Sequence, residues 1–390
     1  MASGGDNQLA NGDMQAQISR AAFAFRGYNL TNLGRTPELW EVDAYRPTLQ
    51  NWLDLGSSVC ESMHGGKTDL AARVVGHLEA DLEHYAEAVA LVMSIELAQI
   101  ELLRELHGVN YSESKLAFGY SLGELTAVAA NEITSPDEAM QVPVGLAHDC
   151  AALARDVTLG ILFSRTEAID EAAVGGLCEE ITSECNGVIG VSAMLSPNSF
   201  LVLGQGDTLS RFKIRMADVF PKSAHLKRDS HHWPPLHTPI VRQRHVPDRA
   251  SVMMEKMSAT PGLPKPTLFS LATGAPDYGV QPVREILRRW IDHPQRLWDA
   301  VVHTLSEDVS VMIHVGPAPN VIPATFHRLS DNVGQQLEQL SLKSLGKRAI
   351  SGLAGRRWLA NLLPTSASLL RAPTVEHVIL EDWLLENAPQ

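Results

Sequence analysis

Residues 117–131 read AFGYSLGELTAVAAN, and Gly119-Tyr-Ser121-Leu-Gly123 within them is a GxSxG motif. A serine at the apex of a sharp strand-to-helix turn is a nucleophile for acyl transfer or ester hydrolysis. The backbone there is strained, and bulky flanking side chains would meet the neighbouring strand and helix, so glycine is needed on both sides. The helix that follows would aim unpaired N–H groups at the reacting centre, and the N–H of Leu122 is placed to stabilise an oxyanion. The serine also needs a base. The chain holds 15 histidines, so number does not choose one. His237, in WPPLHTPIV (233–241), has the best context: a proline-framed turn ahead of an apolar stretch. On local grounds it is either the base or a satisfied loop histidine. His231, His232 and His237 match no standard zinc spacing, and a metal site is not expected.

The elements that must carry these residues alternate between strands and helices. AAFAFRG (21–27) reads as a strand and loop, and 80–107 as a long helix ending at Gly108. KLAFGYS is a strand and LGELTAVAANE a helix; 136–154 is helical, with Pro143 expected to kink or split it. Residues 156–228 then run strand, acidic helix, two strands around Ser-Pro-Asn, and helix, a split βαβ pattern. KPTLFSLATG, VREILRRWIDH and VSVMIHVGPAPNV restore the strand–helix alternation. The spacing predicts an α/β-hydrolase-like parallel-sheet domain with an inserted small ferredoxin-like α+β subdomain. The expected division is a disordered lead (1–19), a large subdomain (20–155 and 229–335), the small one (156–228) and a C-terminal extension (336–390). The extension carries a basic cluster of Lys343, Lys347, Arg348, Arg356 and Arg357.

Composition narrows the class. With 390 residues, 45% hydrophobic and 20% charged, the chain suits a globular α/β protein. A net charge of −13 argues against nonspecific nucleic-acid binding. No apolar run reaches the ~18 residues of a membrane span, and the polar first 20 residues do not form a signal peptide. The four cysteines, with no CxxC pair, fit a cytoplasmic protein.

Several stretches, in order, resemble the malonyl-CoA:acyl-carrier-protein transacylases and the acyltransferase domains of polyketide synthases. They are FRGYN (25–29), GYSLGE (119–124), LSPNSFLVLG (195–204), LHTPIV (236–241) and VGPAPNVI (315–322). The resemblance spans about residues 20–335 and implies an enzyme that moves an acyl group, nominally malonyl, from coenzyme A to the phosphopantetheine thiol of acyl carrier protein. It implies Ser121 as nucleophile, His237 as base oriented by a main-chain carbonyl near Trp290, and an oxyanion hole from the N–H groups of Leu122 and Tyr28. Gly27, Arg26 and Tyr120 are the expected substrate-binding residues. No cofactor or metal is implied, coenzyme A thioester being a substrate; the partners are that thioester and acyl carrier protein. The chain departs from the family at Tyr28 and Tyr120, where the family has glutamine and histidine. It also departs in MQVPVGLAHD (140–149), which has no carboxylate-binding arginine; Leu146 or a neighbour falls there. Either Arg26, Arg242 or Arg155 substitutes, or the acyl group is uncharged. Alternatives of other kinds are a serine thioesterase or esterase and a non-catalytic assembly partner.

Overall fold

The computed structural model describes the backbone over residues 11–344 and 356–389, with side chains over 14–337 and 356–389. In chain order the strands are β1 Ala21–Phe25, β2 Leu116–Gly119, β3 Val157–Ser164, β4 Ile189–Ser196, β5 Ser199–Gln205, β6 Ala224–His232, β7 Thr267–Phe269, β8 Val311–Val315 and β9 Glu376–Ile379. They form two sheets.

The larger sheet has the order β7-β2-β1-β8-β9 and is parallel throughout. β1, β2 and β8 are buried along their whole length. Helices cover both faces of such a sheet, so its strands read as unbroken apolar runs rather than alternations. The register sets Phe25 beside both Gly119 and Val315. The loops leaving β1, β2 and β8 therefore emerge side by side at the carboxyl edge of the sheet, where open α/β folds place their ligands. The helix Tyr85–His107 is buried over most of its length and closes at Gly108, whose φ of 67° suits a residue without Cβ.

The smaller sheet, β4-β5-β3-β6, is antiparallel. With the helices Glu171–Ser183 and Thr208–Val219 it makes a β-α-β-β-α-β unit around Leu162, Phe200, Val202 and Phe212. This is the ferredoxin-like arrangement. Its last strand, β6, runs past residue 228 to His232 and carries a single buried residue, Leu226. An edge strand whose only apolar residues are Ala224 and Leu226 leaves no sustained alternation to read.

Three further expectations change. Residues 11–19, expected within a disordered lead, hold the helix Asn11–Gln17 and most of a turn, Ile18–Arg20, with Met14 and Ile18 buried. Those two apolar residues, one in the helix and one in the turn, both join the core under the parallel sheet. Pro143 does not split its helix, which is continuous from Pro136 to Ala154. The ring costs one hydrogen bond, but Val142, Val144, Leu146 and Ala147 around it are all buried. Finally, residues 376–386 are no appendage. β9 pairs with β8, and Leu380, Trp383 and Leu384 enter the core beneath it. Tyr45 Oη donates to the Leu384 carbonyl at 2.8 Å. Of the basic cluster, Arg357 pairs with Glu167 (3.4 Å) and Arg356 donates to Gln335 (3.1 Å). The side chains of Lys343, Lys347 and Arg348 lie outside the described residues.

Candidate active site

Ser121 sits between the end of β2 and the helix Leu122–Ala130, with φ 54° and ψ −117°. A residue with a Cβ adopts this conformation only when its surroundings impose it. Here they do. A Cβ at Gly119 would stand 2.0 Å from the Gly123 carbonyl carbon, and one at Gly123 would stand 2.4 Å from the Phe25 and Arg26 carbonyl oxygens. The turn thus closes because both positions lack side chains. At Gly27 a Cβ would come within 2.7 Å of the Tyr120 carbonyl oxygen and 3.2 Å of Ser121 Cβ. Gly27 lets the loop after β1 press against the serine.

The structure brings His237 to this serine from 116 residues away, with Nε2 2.7 Å from Ser121 Oγ. His237 is itself held in the left-handed region, φ 66°. Its N–H donates to the Ile291 carbonyl at 2.8 Å, and its Nδ1 lies 2.6 Å from the Trp290 carbonyl. The carbonyl can only accept, so Nδ1 carries the proton and Nε2 faces the hydroxyl with its lone pair free. Burial pulls the imidazole pKa down from 6.5 to about 4, opposed by the Trp290 carbonyl. The ring is accordingly neutral and able to take a proton near pH 7.

Trp290 is fully buried and acts twice, for its indole Nε1 also donates to the Ser121 carbonyl at 2.8 Å. Gln295 completes the frame. Its Oε1 accepts from the Ser121 N–H at 3.0 Å, and its Nε2 lies 3.3 Å from His237 Nδ1. Its backbone joins β4 of the smaller unit: Gln295 N donates to Ser192 O (2.8 Å), and Met194 N to Gln295 O (2.9 Å). Gln295 therefore ties the small unit to the serine. Nothing in the sequence singled it out, because its bonds to Ser121 and His237 exist only in the fold.

Glu124, in the first turn of the helix after Ser121, is buried. Burial raises its carboxyl to about 7. It accepts from Tyr278 Oη (2.9 Å) and Leu271 N (3.2 Å). The Leu271 carbonyl in turn accepts from Arg296 N at 2.9 Å, next to Gln295. Glu124 thus supports the segment that carries Gln295.

A cavity of about 120 Å³ opens beside Ser121 and His237, walled by Tyr28, Tyr85, Tyr120, Leu201, Leu203 and Trp233. Tyr28 meets Tyr85 edge-on at 4.9 Å between ring centres. Tyr28, expected for its backbone N–H, and Tyr120, expected against substrate, both line this cavity. Leu122 is the first residue of its helix, where a backbone N–H has no intrahelical acceptor. Arg26 corrects the reading: it is not among the cavity residues. Its guanidinium donates to the carbonyls of Gly27 (2.8 Å), Thr31 (3.1 Å) and Pro317. It pins together the loops after β1 and β8 instead of facing substrate. Arg242 pairs with Asp292 at 2.8 Å, and Arg155 is exposed; neither reaches the cavity. Leu146 is buried in the core. Among the described residues no cluster of three or more metal-ligating side chains occurs, and no helix is long and apolar enough to cross a membrane.

No family model and no curated protein sequence matches this chain. Solved structures do. A malonyl-CoA:acyl carrier protein transacylase from Xanthomonas oryzae is 19% identical over 79% of this chain and 90% of its own, with TM-score 0.62. An acyl carrier protein S-malonyltransferase from Vibrio cholerae is 16% identical over 93% of this chain and 96% of its own, with TM-score 0.61. A malonyl-transacylase solved in complex with a type II polyketide synthase acyl-carrier protein is 18% identical over 79% and 92%, with TM-score 0.61. Two sheets in this arrangement, with the elbow at the carboxyl edge of the parallel one, give the chain the fold of the malonyl-CoA:acyl-carrier-protein transacylases.

Proposed function

We propose that the protein is an acyltransferase that carries an acyl group on Ser121, from a coenzyme A thioester to the phosphopantetheine thiol of an acyl carrier protein. The observation that carries this reading is the contact of Ser121 Oγ with His237 Nε2 at 2.7 Å, with Nδ1 held by the Trp290 carbonyl. In the first half-reaction His237 Nε2 takes the serine proton as Oγ attacks the thioester carbonyl. The tetrahedral oxyanion is met by the N–H groups of Leu122 and Tyr28, and the imidazolium returns its proton to the departing thiolate. In the second, His237 deprotonates the carrier thiol, which attacks the acyl-serine and releases Ser121 with its proton. The resemblance in sequence and the transacylases among solved neighbours, one in complex with its carrier protein, support the carrier as acceptor.

Transfer is tested by loading the protein from acyl-CoA, removing free thioester, and adding holo acyl carrier protein. The label is expected to move to the carrier thiol at least about tenfold faster than it appears as free acid. Release mainly as free acid, with or without carrier, would identify a thioesterase instead.

A further inference from the structure

The acyl group itself is decided by the cavity wall. Resting on the reading of Ser121 as acyl acceptor, we infer that the group it carries is uncharged, because the described residues of the cavity beside Ser121 form an apolar and aromatic wall with no lysine or arginine. Among the described residues no lysine or arginine lines it, and His237 is the one basic side chain of its wall. The arginines nearest in sequence to the motifs are committed elsewhere: Arg26 to the three loop carbonyls, Arg242 to Asp292. The polar side chains the wall does offer, among them Ser192, Asn29 and Asn320, are neutral.

Burial pushes the Tyr28 phenol up to about 12, with Asp81 and Glu79 adding to the rise and Arg26 opposing it. A negatively charged acyl terminus would lose its water here with no cation of the described wall in return. A buried carboxylate without a partner is strongly disfavoured. A short alkyl terminus meets only Leu201, Leu203 and the aromatic rings.

The test uses the intact protein and a panel of acyl-CoA thioesters at equal concentration: acetyl, propionyl and butyryl against malonyl and methylmalonyl. The growth of each adduct is followed by intact mass. Neutral acyl groups are expected to load at least about 100-fold faster than malonyl, the discrimination typical of a site that leaves a polar group unpaired. Malonyl loading at a rate equal to or above the fastest neutral group would overturn the inference while leaving the acyl-serine reading intact. A protein that takes no adduct from any member of the panel would refute both.

Discussion

At the scale of single residues, the serine announces itself because its neighbours are sterically forced. Gly119, Gly123 and the proline-framed His237 are legible in sequence, since few other residues fit their backbone positions. Gln295 is not, because its bond to Ser121 is made from 174 residues away; of Trp290 the family resemblance implies only the nearby main-chain carbonyl, not the indole bond to Ser121 made from 169 residues away. The imidazole pKa of about 4 fixes a pH expectation. The base is neutral, and competent, above its folded pKa, and loses function as pH falls through it. The acid limb of the acylation rate should thus lie near pH 4, not near the usual 6.5, in a stopped-flow pH profile. Gln295→Glu sets a carboxylate near Nδ1 and should move that limb upward by one unit or more. Gln295→Leu frees the Ser121 N–H and should slow acylation by about 10- to 100-fold with little change in KM. An unchanged acid limb in Gln295→Glu would mean the amide does not sense the imidazole.

At the scale of elements, the elbow works because β1, β2 and the helix after Ser121 stand too close for any Cβ at two positions. Gly123→Ala must push the new methyl off the Phe25 and Arg26 carbonyl oxygens. It should cost roughly 2–3 kcal/mol, read by urea unfolding. Glu124 ties the same helix to the turn after β7, and its carboxyl, raised to about 7 by burial, is protonated in the fold when the unfolded chain has already ionised. Its contribution is complete below the unfolded value of 4.5 and is lost as pH rises through about 7. Glu124→Gln removes that loss, so stability should decline less between pH 5 and 7.5, by at most about 1.4 kcal/mol per pH unit. An identical pH dependence in the two proteins would place the titration elsewhere. The elements least visible in sequence were those lacking a periodic signal. β6 is polar at the sheet's edge, and the helix Asn11–Gln17 and the turn after it bury only Met14 and Ile18 among the described side chains.

At the scale of the whole molecule, the parallel sheet is finished by the far C-terminus. β9 and the helix Leu380–Glu386 close the edge beside β8 and place Trp383 against His107, with ring centres 4.9 Å apart. The alternation of strands and helices made the α/β class readable. That the last strand returns to the first sheet was not, since its four residues carry little apolar pattern and pair only in three dimensions. Trp383→Ala empties a buried site and should destabilise the protein by about 3–5 kcal/mol in chemical denaturation. A loss below about 1 kcal/mol would show that the C-terminal segment is not part of the cooperative core.

The account rests on Ser121 as the acyl carrier. The most direct measurement is peptide mapping of the protein after incubation with acyl-CoA, alongside Ser121→Ala. It should give a single acyl mass on the peptide that holds GYSLGE and none in the variant. An adduct that survives the substitution, or one that maps to any other peptide, would contradict it.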